Sequence, residues 1–299
     1  MSQELKQIDG WRIVGLLARG GNAEVYRVVS SLTGAAAILK IAHPGSVRLS
    51  ERVRREGEML SEFDDPAFPQ VLATGAWEGR AYVVLEPLHP LALPRGDQEV
   101  ARFALELCRA LTILEARGIV HRDLKPSNLC TRDGRSPVLI DFGFAKRLER
   151  EQKAEDVLSV EQGYLVGLGT PGYSAPEQFR GEEVAPSADI HAVGVILSEC
   201  FDGHPPACWR KIVTRATSSL PAQRFASARD LAHAVRRRHA VGIGLCLAVA
   251  VLMALGVLVL MWYRQQVEAE RLEAAERRHA IEQRELLDYV EELKSGDLR

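Results

Sequence analysis

The chain has 299 residues, 46% of them hydrophobic, and a formal net charge of -2, enough apolar material for a large core and too much for a disordered tail. A charge this close to zero lacks the basic excess that binding along a phosphate backbone requires, so no nucleic acid is expected as a partner. The five cysteines, Cys108, Cys130, Cys200, Cys208 and Cys246, show no paired ligand spacing and read as free thiols in a reducing compartment rather than as a metal site.

In chain order, the opening MSQELKQIDG has no apolar core and is not a signal peptide. WRIVGLLA, EVYRVVSS and AAAILKIA then alternate as strands do. RGGN joins the first two and puts the backbone of Gly20 and Gly21 at a hairpin tip, while the third strand brings Lys40 beneath it. The glycine-rich LARGGNAEVY between apolar runs reads as a loop that folds over phosphates, although it carries Ala18 and Ala23. SERVRREGEMLSEF is helical by the spacing of Val53, Glu56, Met59 and Leu60. VHRDLKPSNLC precedes a predicted hairpin, with TRDGRS as the turn and PVLI as the returning strand, which ends in Asp141, Phe142 and Gly143. SADIHAVGVI, WRKIVTRA and SARDLAHAVRRR read as helices, the last running on without proline or glycine until Gly242.

From Ala240 to Tyr263 the chain reads AVGIGLCLAVAVLMALGVLVLMWY, without a charge. At about 1.5 Å per residue this reaches about 36 Å, more than a hydrocarbon core of roughly 30 Å, so the expectation is a single membrane span. Arg236, Arg237, Arg238 and His239 stand before it, and Trp262 and Tyr263 lie where an interfacial anchor belongs. The positive-inside rule therefore puts the N-terminal side in the cytoplasm and the tail outside. That tail is rich in helix formers and is expected to be a helix. Its Leu272, Leu286 and Leu293 fall on heptad spacing, interrupted by His279 and Glu282.

HRDLKPSN followed by DFG resembles the protein kinase family, in the Ser/Thr form found on bacterial membrane receptors. The resemblance runs from about residue 10 to 236 and implies an α+β, bilobal protein kinase-like fold. The expected organisation is an N-terminal extension over 1–9, a β-rich N-lobe and hinge over 10–88 and a helical C-lobe over 89–239, shortened before its last helices. A transmembrane helix over 240–263 and an extracytoplasmic helical tail over 264–299 follow, so the bacterial cytoplasmic membrane is the expected location. ATP and Mg²⁺, or Mn²⁺, are the implied cofactors, because phosphoryl transfer is mostly positioning: one carboxylate orients the attacking hydroxyl while another and an amide hold the metal. By resemblance Asp123 accepts the hydroxyl proton, Asn128 and Asp141 ligate the metal, and Lys125 neutralises the transferring phosphate. Lys40 bridges phosphates and Glu56 pairs with it, while backbone groups of Glu86 and Leu88 in LEPL bond adenine. GTPGYSAPE resembles the end of an activation segment, with Thr170 beside the catalytic aspartate, Glu177 pairing with Arg224, and Asp189 bracing the catalytic loop.

The phosphate-loop pattern falls on Ala18, Gly20, Ala23 and Val25, so only its middle glycine survives, next to Gly21. A methyl group at Ala18 or Ala23 restricts positive φ and adds bulk without removing an N–H donor. Ile38, where the family has a small residue, is expected to crowd the adenine face. Both departures weaken nucleotide binding more than turnover. Three functions are weighed: a membrane-anchored Ser/Thr kinase acting on protein substrates and on itself, a pseudokinase scaffold, and a small-molecule phosphotransferase of related fold, against which GTPGYSAPE argues. Expected partners are proteins with Ser or Thr, the membrane, and a second copy through the tail or the kinase domain. In the activation segment, Ser159, Tyr164, Thr170 and Ser174 supply hydroxyls, and Glu155, Asp156 or Glu161 is expected to meet Arg122. The arginines before the span are expected on anionic headgroups.

Overall fold

The alternation between Trp11 and Ala42 becomes three antiparallel strands, β2 (Trp11–Arg19), β3 (Ala23–Ser30) and β4 (Ala36–Ala42). With β1 (Gln7–Ile8), β5 (Val71–Trp77) and β6 (Arg80–Leu85) they form a six-stranded sheet in the order β1-β2-β3-β4-β6-β5. This computed structural model describes residues 7–148, 169–238 and 240–295, with the side chains of the last helix described over 251–290. It divides into two units, Met1–Arg238 and His239–Arg299.

The pleat of the sheet sends alternate side chains to opposite faces. Tyr26, Val28, Leu39, Ile41, Tyr82 and Val84 pack on one face with Ile8. The other face carries Val25, Lys40 and Val83 in one cross-strand row and Ile38 and Leu85 in the next. Against that second face lies α1 (Val47–Ser61), started by Ser46, whose hydroxyl accepts from the Leu49 N–H at 3.3 Å. Gly57 lets the helix come close: a Cβ there would stand 3.0 Å from Thr74 Cγ2 and 3.4 Å from Val83.

The helical lobe comprises α2 (Asp97–Ala116), α3 (Pro176–Arg180), α4 (Ser187–Glu199), α5 (Ala207–Ala216) and α6 (Ala228–Arg237). Leu107, Leu111, Ile196, Trp209 and Leu231 meet in its core, each buried to 1% exposure, 2% for Leu111, or less. At about 1.5–3 kcal/mol per large apolar side chain, such residues drive the packing. Between the sheet and these helices lie β7 (His89–Pro90), β8 (Ile119–Val120), β9 (Leu129–Thr131), β10 (Val138–Leu139) and β11 (Lys146–Arg147), paired as β10-β9-β7 and β11-β8. Only residues 200–206 separate α4 from α5. The two helices cross closely at Gly194, where a Cβ would lie 2.7 Å from that of Ala216. No further helix stands between them.

Two expectations for the juxtamembrane stretch change. The last lobe helix closes rather than running on: Arg238 caps α6, its backbone N–H and Nη1 both bonding Val235 O, and His239 lies outside the described residues. Arg238 also turns inward instead of facing headgroups. Its guanidinium donates to both Asp97 oxygens, at 3.1 and 2.6 Å, and lies 5.4 Å from the Trp209 ring centroid. Arg236 and Arg237 are exposed.

The second unit is one helix, α7 (Ala240–Ser295), joining the apolar run and the tail without a break. Among the described residues no helix is long and apolar enough to cross a membrane. The side chains of 240–250, nearly half of the expected span, lie outside that description. Glu155, Asp156, Ser159, Glu161 and Tyr164, the expected activation-segment residues, also lie outside the described residues.

One buried ion pair ties α3 to the turn before α6. Arg224 gives Nη1 and Nη2 to Glu177 at 2.6 and 2.8 Å, with side-chain exposures of 0% and 1%. Nε and Nη1 also bond Ser218 O and Ser187 O. Burial raises the Glu177 pKa, but the guanidinium outweighs it and holds the carboxyl below its ordinary value. Arg224→Met leaves Glu177 charged and unpaired and is expected to cost about 3–5 kcal/mol of unfolding free energy, read by urea denaturation.

Candidate active site

Strand β4 aims Lys40 at the cleft face, and α1 brings Glu56 opposite it. Lys40 Nζ lies 2.9 and 2.7 Å from the two Glu56 oxygens and 2.6 Å from Asp141 Oδ1. Asp141 adopts a left-handed backbone, φ 65, and its carboxylate accepts the Gly143 N–H at 3.4 Å. Gly143 allows this approach: a Cβ would sit 3.2 Å from Asp141 Oδ1. Phe142 is wedged among Phe63, Phe68 and His121, at centroid distances of 5.9, 5.9 and 4.8 Å.

Burial opposes the charge on Lys40, yet Glu56 and Asp141 together raise its pKa. Asp141 feels burial as well, and Lys40 brings its pKa below the ordinary carboxylate value. Glu56, 1% exposed, is raised by burial despite Lys40. Removing the ammonium therefore leaves Glu56 to take a proton on folding. A raised folded pKa contributes stability that is full below the unfolded value, about 4.3, and lost as pH rises. Lys40→Met is accordingly expected to cost more stability at about pH 8 than at about pH 5, measured by denaturant unfolding beside the parent protein.

The catalytic-loop sequence starts after β8. Asp189, on buried α4, accepts backbone N–H groups of His121 at 2.7 Å and Arg122 at 2.9 Å. Arg122 has φ 67, and its Nε donates to Phe144 O at 2.7 Å. His121 is fully buried, which holds its imidazole below the ordinary pKa against the pull of Asp189 and Asp141. Its Nε2 lies 3.1 Å from Ile140 O.

Asp123 is 3% exposed and each oxygen has company. Oδ1 accepts the Thr170 hydroxyl at 2.7 Å, while Oδ2 lies 2.9 Å from Lys125 Nζ and 3.1 Å from Asn128 Nδ2. Lys125 also donates to Thr170 Oγ1 at 2.7 Å. The Asn128 side chain reaches back to Asp123 O at 2.8 Å, and its backbone carbonyl accepts the N–H of Ile140, the residue before Asp141, at 3.0 Å. One arrangement thus brings together Lys40, Glu56, Asp141, Asn128, Asp123 and Lys125. Among the described residues no three His, Cys, Asp or Glu side chains form a metal cage. The Asp141 carboxylate and Asn128 amide instead suit a hard cation that takes its remaining oxygen ligands from substrate phosphates and water.

The phosphate-loop candidates sit at the β2–β3 connection. Ala18 pairs with Val25 in the ladder and Ala23 with Ala42, and none of Ala18, Gly20, Gly21 and Ala23 adopts the left-handed backbone that demands glycine. The expected restriction of positive φ by the alanines therefore does not operate here. Gly20 N donates to Ala23 O at 2.9 Å, His43 Nε2 lies 2.7 Å from Gly20 O, and Arg52 Nη1 reaches Asn22 Oδ1 at 3.2 Å. Ile38 stands on the cleft face beside Leu85. After Leu85 the hinge passes Glu86, whose N–H bonds Gln70 O at 3.0 Å, to half-buried Leu88 and then β7. Sequence reasoning missed His43, Arg52 and Arg132. Each is a basic residue near a turn or on a helix surface, where only its distant partners reveal a role.

Residues 11–235 match the family described as the protein kinase domain. The chain is 29% identical over 220 residues to a probable serine/threonine-protein kinase pknA2 of Bifidobacterium longum, covering 69% of this chain and 28% of that protein. It is 33% identical over 213 residues to serine/threonine-protein kinase PknA of Mycobacterium tuberculosis, covering 66% of this chain and 47% of that one. The aligned stretch is thus less than half the length of either relative. A crystal structure of the PknI kinase domain of Mycobacterium tuberculosis shares the fold, with a TM-score of 0.58 at 23% identity over 77% of this chain and 96% of that one.

Proposed function

The chain belongs to the protein kinase family, and from that premise we propose that it is a membrane-anchored Ser/Thr kinase that moves the γ-phosphoryl group of ATP to protein hydroxyls, its own among them. The observation that carries this reading is the convergence on one cleft of Lys40 with Glu56 and Asp141, and of Asp123 with Lys125 and Asn128. Asp123 takes the position of the base that orients an incoming hydroxyl and accepts its proton, and Thr170 holds one of its oxygens until that hydroxyl arrives. Lys125 sits beside it to offset charge on the transferring group. Lys40, kept charged and aimed by Glu56, is placed to meet the phosphates. Asn128 and Asp141 would hold Mg²⁺ or Mn²⁺, which supplies charge neutralisation between phosphates. The backbone of Glu86 and Leu88 would receive adenine under Val25 and Ile38.

A nucleotide-binding scaffold without turnover is the second reading, and Ile38 on the cleft face is the observation that favours it. Residues 1–238 incubated with labelled ATP and Mg²⁺ or Mn²⁺ separate the two. Metal-dependent phosphate on Ser or Thr is expected, reduced about 10²- to 10⁴-fold by Asp123→Asn. Folded protein that incorporates nothing sinks the kinase reading.

Anchoring through 240–263 is supported by the described part of that run. From Val251 to Tyr263 the large apolar side chains are exposed around the whole helix, with no polar face among them. A helix apolar on all sides belongs in a core or a bilayer. The cytoplasmic membrane of a bacterium is the location this implies, with the kinase domain inside. Leu272 and Leu286 are exposed on the tail and offer a second copy of the chain a seam for pairing. The full chain is expected in the membrane fraction and resistant to alkaline carbonate, and a chain lacking 240–299 in the soluble fraction; a full chain that washes off removes the anchor.

A further inference from the structure

Arg132 makes a contact that neither the sequence motifs nor the family match assigns. It stands at the end of β9, in the turn of the β9–β10 hairpin, and its guanidinium reaches back to the hinge. Nε donates to Glu86 Oε2 at 3.0 Å and Nη2 to Glu86 Oε1 at 2.5 Å. The remaining donors go to two carbonyls in the connection between α1 and β5: Nη1 to Pro66 O at 2.5 Å and Nη2 to Phe68 O at 2.7 Å. One planar fork therefore ties the hairpin to two other stretches of chain at once, a geometry that a lysine cannot reproduce.

Each stretch bears on the cleft. Glu86 is the first hinge residue and precedes Pro87, which fixes its own φ and disfavours the helical region for the residue before it. Its carboxylate also accepts the Gln70 N–H at 2.7 Å, and its own N–H bonds Gln70 O. With backbone and side chain both gripped, the direction of the Glu86 carbonyl is set. Phe68, held through its carbonyl, stacks on Phe63 at 4.2 Å and meets Phe142 edge-on. The guanidinium is half-exposed, yet it brings the Glu86 pKa below the ordinary carboxylate value against the effect of burial.

We propose that Arg132 is a positioning residue for the nucleotide: by clamping Glu86 to the hairpin of the helical lobe it fixes the hinge carbonyl that adenine must meet. This rests on the nucleotide-binding reading of the cleft. Arg132 does not touch the phosphates, so its removal weakens adenine recognition and leaves the transfer step largely intact. The pairing is also mutual, because loss of either partner frees the same carbonyl.

The test measures the Kd of MgATP and of adenosine by calorimetry, together with KM and kcat, for Arg132→Ala, Arg132→Lys, Glu86→Gln and the double variant Arg132→Ala with Glu86→Gln. Arg132→Ala is expected to raise both Kd values and the KM by about tenfold while kcat changes less than about threefold. Arg132→Lys is expected to recover only part of the loss, and the double variant to bind no more weakly than Arg132→Ala alone. A Kd for MgATP within about twofold of the parent in Arg132→Ala, or strictly additive losses, overturns the proposal. A parent protein that binds MgATP with the expected shifts but transfers no phosphate removes the kinase reading and leaves this one standing. A folded parent that binds neither MgATP nor adenosine overturns both.

Discussion

The arrangement of the cleft depends on one buried carboxylate. Asp189, 4% exposed in α4, holds the N–H groups of two successive residues, His121 and Arg122. Burial raises its pKa, and those two donors work against the rise. The grip fixes Arg122 in a left-handed conformation that costs on the order of 1–3 kcal/mol for a residue with a side chain. The cost is offset on every side: Gln178 Nε2 bonds the Arg122 carbonyl at 2.7 Å, and the Arg122 side chain bonds Phe144 O. This turn delivers Asp123 to the cleft floor on one side. On the other, through Phe144, it restrains the segment that begins with Asp141. A helix with no group in the cleft thus positions two carboxylates that are.

Charge in the molecule follows the same division between buried and exposed. The pairs Arg54–Glu58 on α1 and Arg277–Glu273 on α7 are largely solvated, and such pairs contribute about 0–1 kcal/mol. Lys40 with Glu56 and Asp141, and Arg224 with Glu177, lie mostly out of water, where each charge needs its partner to avoid a penalty of several kcal/mol. The sites with the most to lose from a missing partner join distant parts of the chain: strand to helix to DFG segment in the first, α3 to the loop before α6 in the second. Surface charge, by contrast, changes little in the fold.

Much of this was legible in the sequence wherever a feature is local. Strict alternation marked β2, β3 and β4, the 3.6-residue spacing marked α1, and HRDLKPSN with DFG pointed to four cleft residues, Asp123, Lys125, Asn128 and Asp141, through which the resemblance then reached Lys40 and Glu56. Long-range partners were readable only where a motif names both members, as Glu177 and Arg224. His43 against Gly20, Arg238 against Asp97 and Arg132 against Glu86 span 23, 141 and 46 residues, and no local period encodes such pairs. Arg238 shows how composition misleads: in RRRH it reads as one more juxtamembrane cation, but the indole N–H of Trp209 already orients Asp97 at 2.7 Å and gives the guanidinium a prepared site.

The phosphate loop shows why a pattern of glycines is not itself the physical requirement. What phosphates need is close, correctly aimed backbone N–H groups, and glycine serves when that aim demands positive φ or the absence of a Cβ. Here Ala18 and Ala23 lie inside strand pairings, where a methyl group costs nothing in backbone conformation. The tip between them is tied instead by cross-links: Gly20 N to Ala23 O, Gly20 O to His43 and Asn22 to Arg52. A tip so restrained has less freedom to lose when it orders around a ligand than an untethered glycine loop, whose ordering costs about 1–2 kcal/mol per residue. These cross-links exchange adaptability for rigidity, and the decisive steric question moves from the loop to Ile38, the bulky departure that faces the cleft.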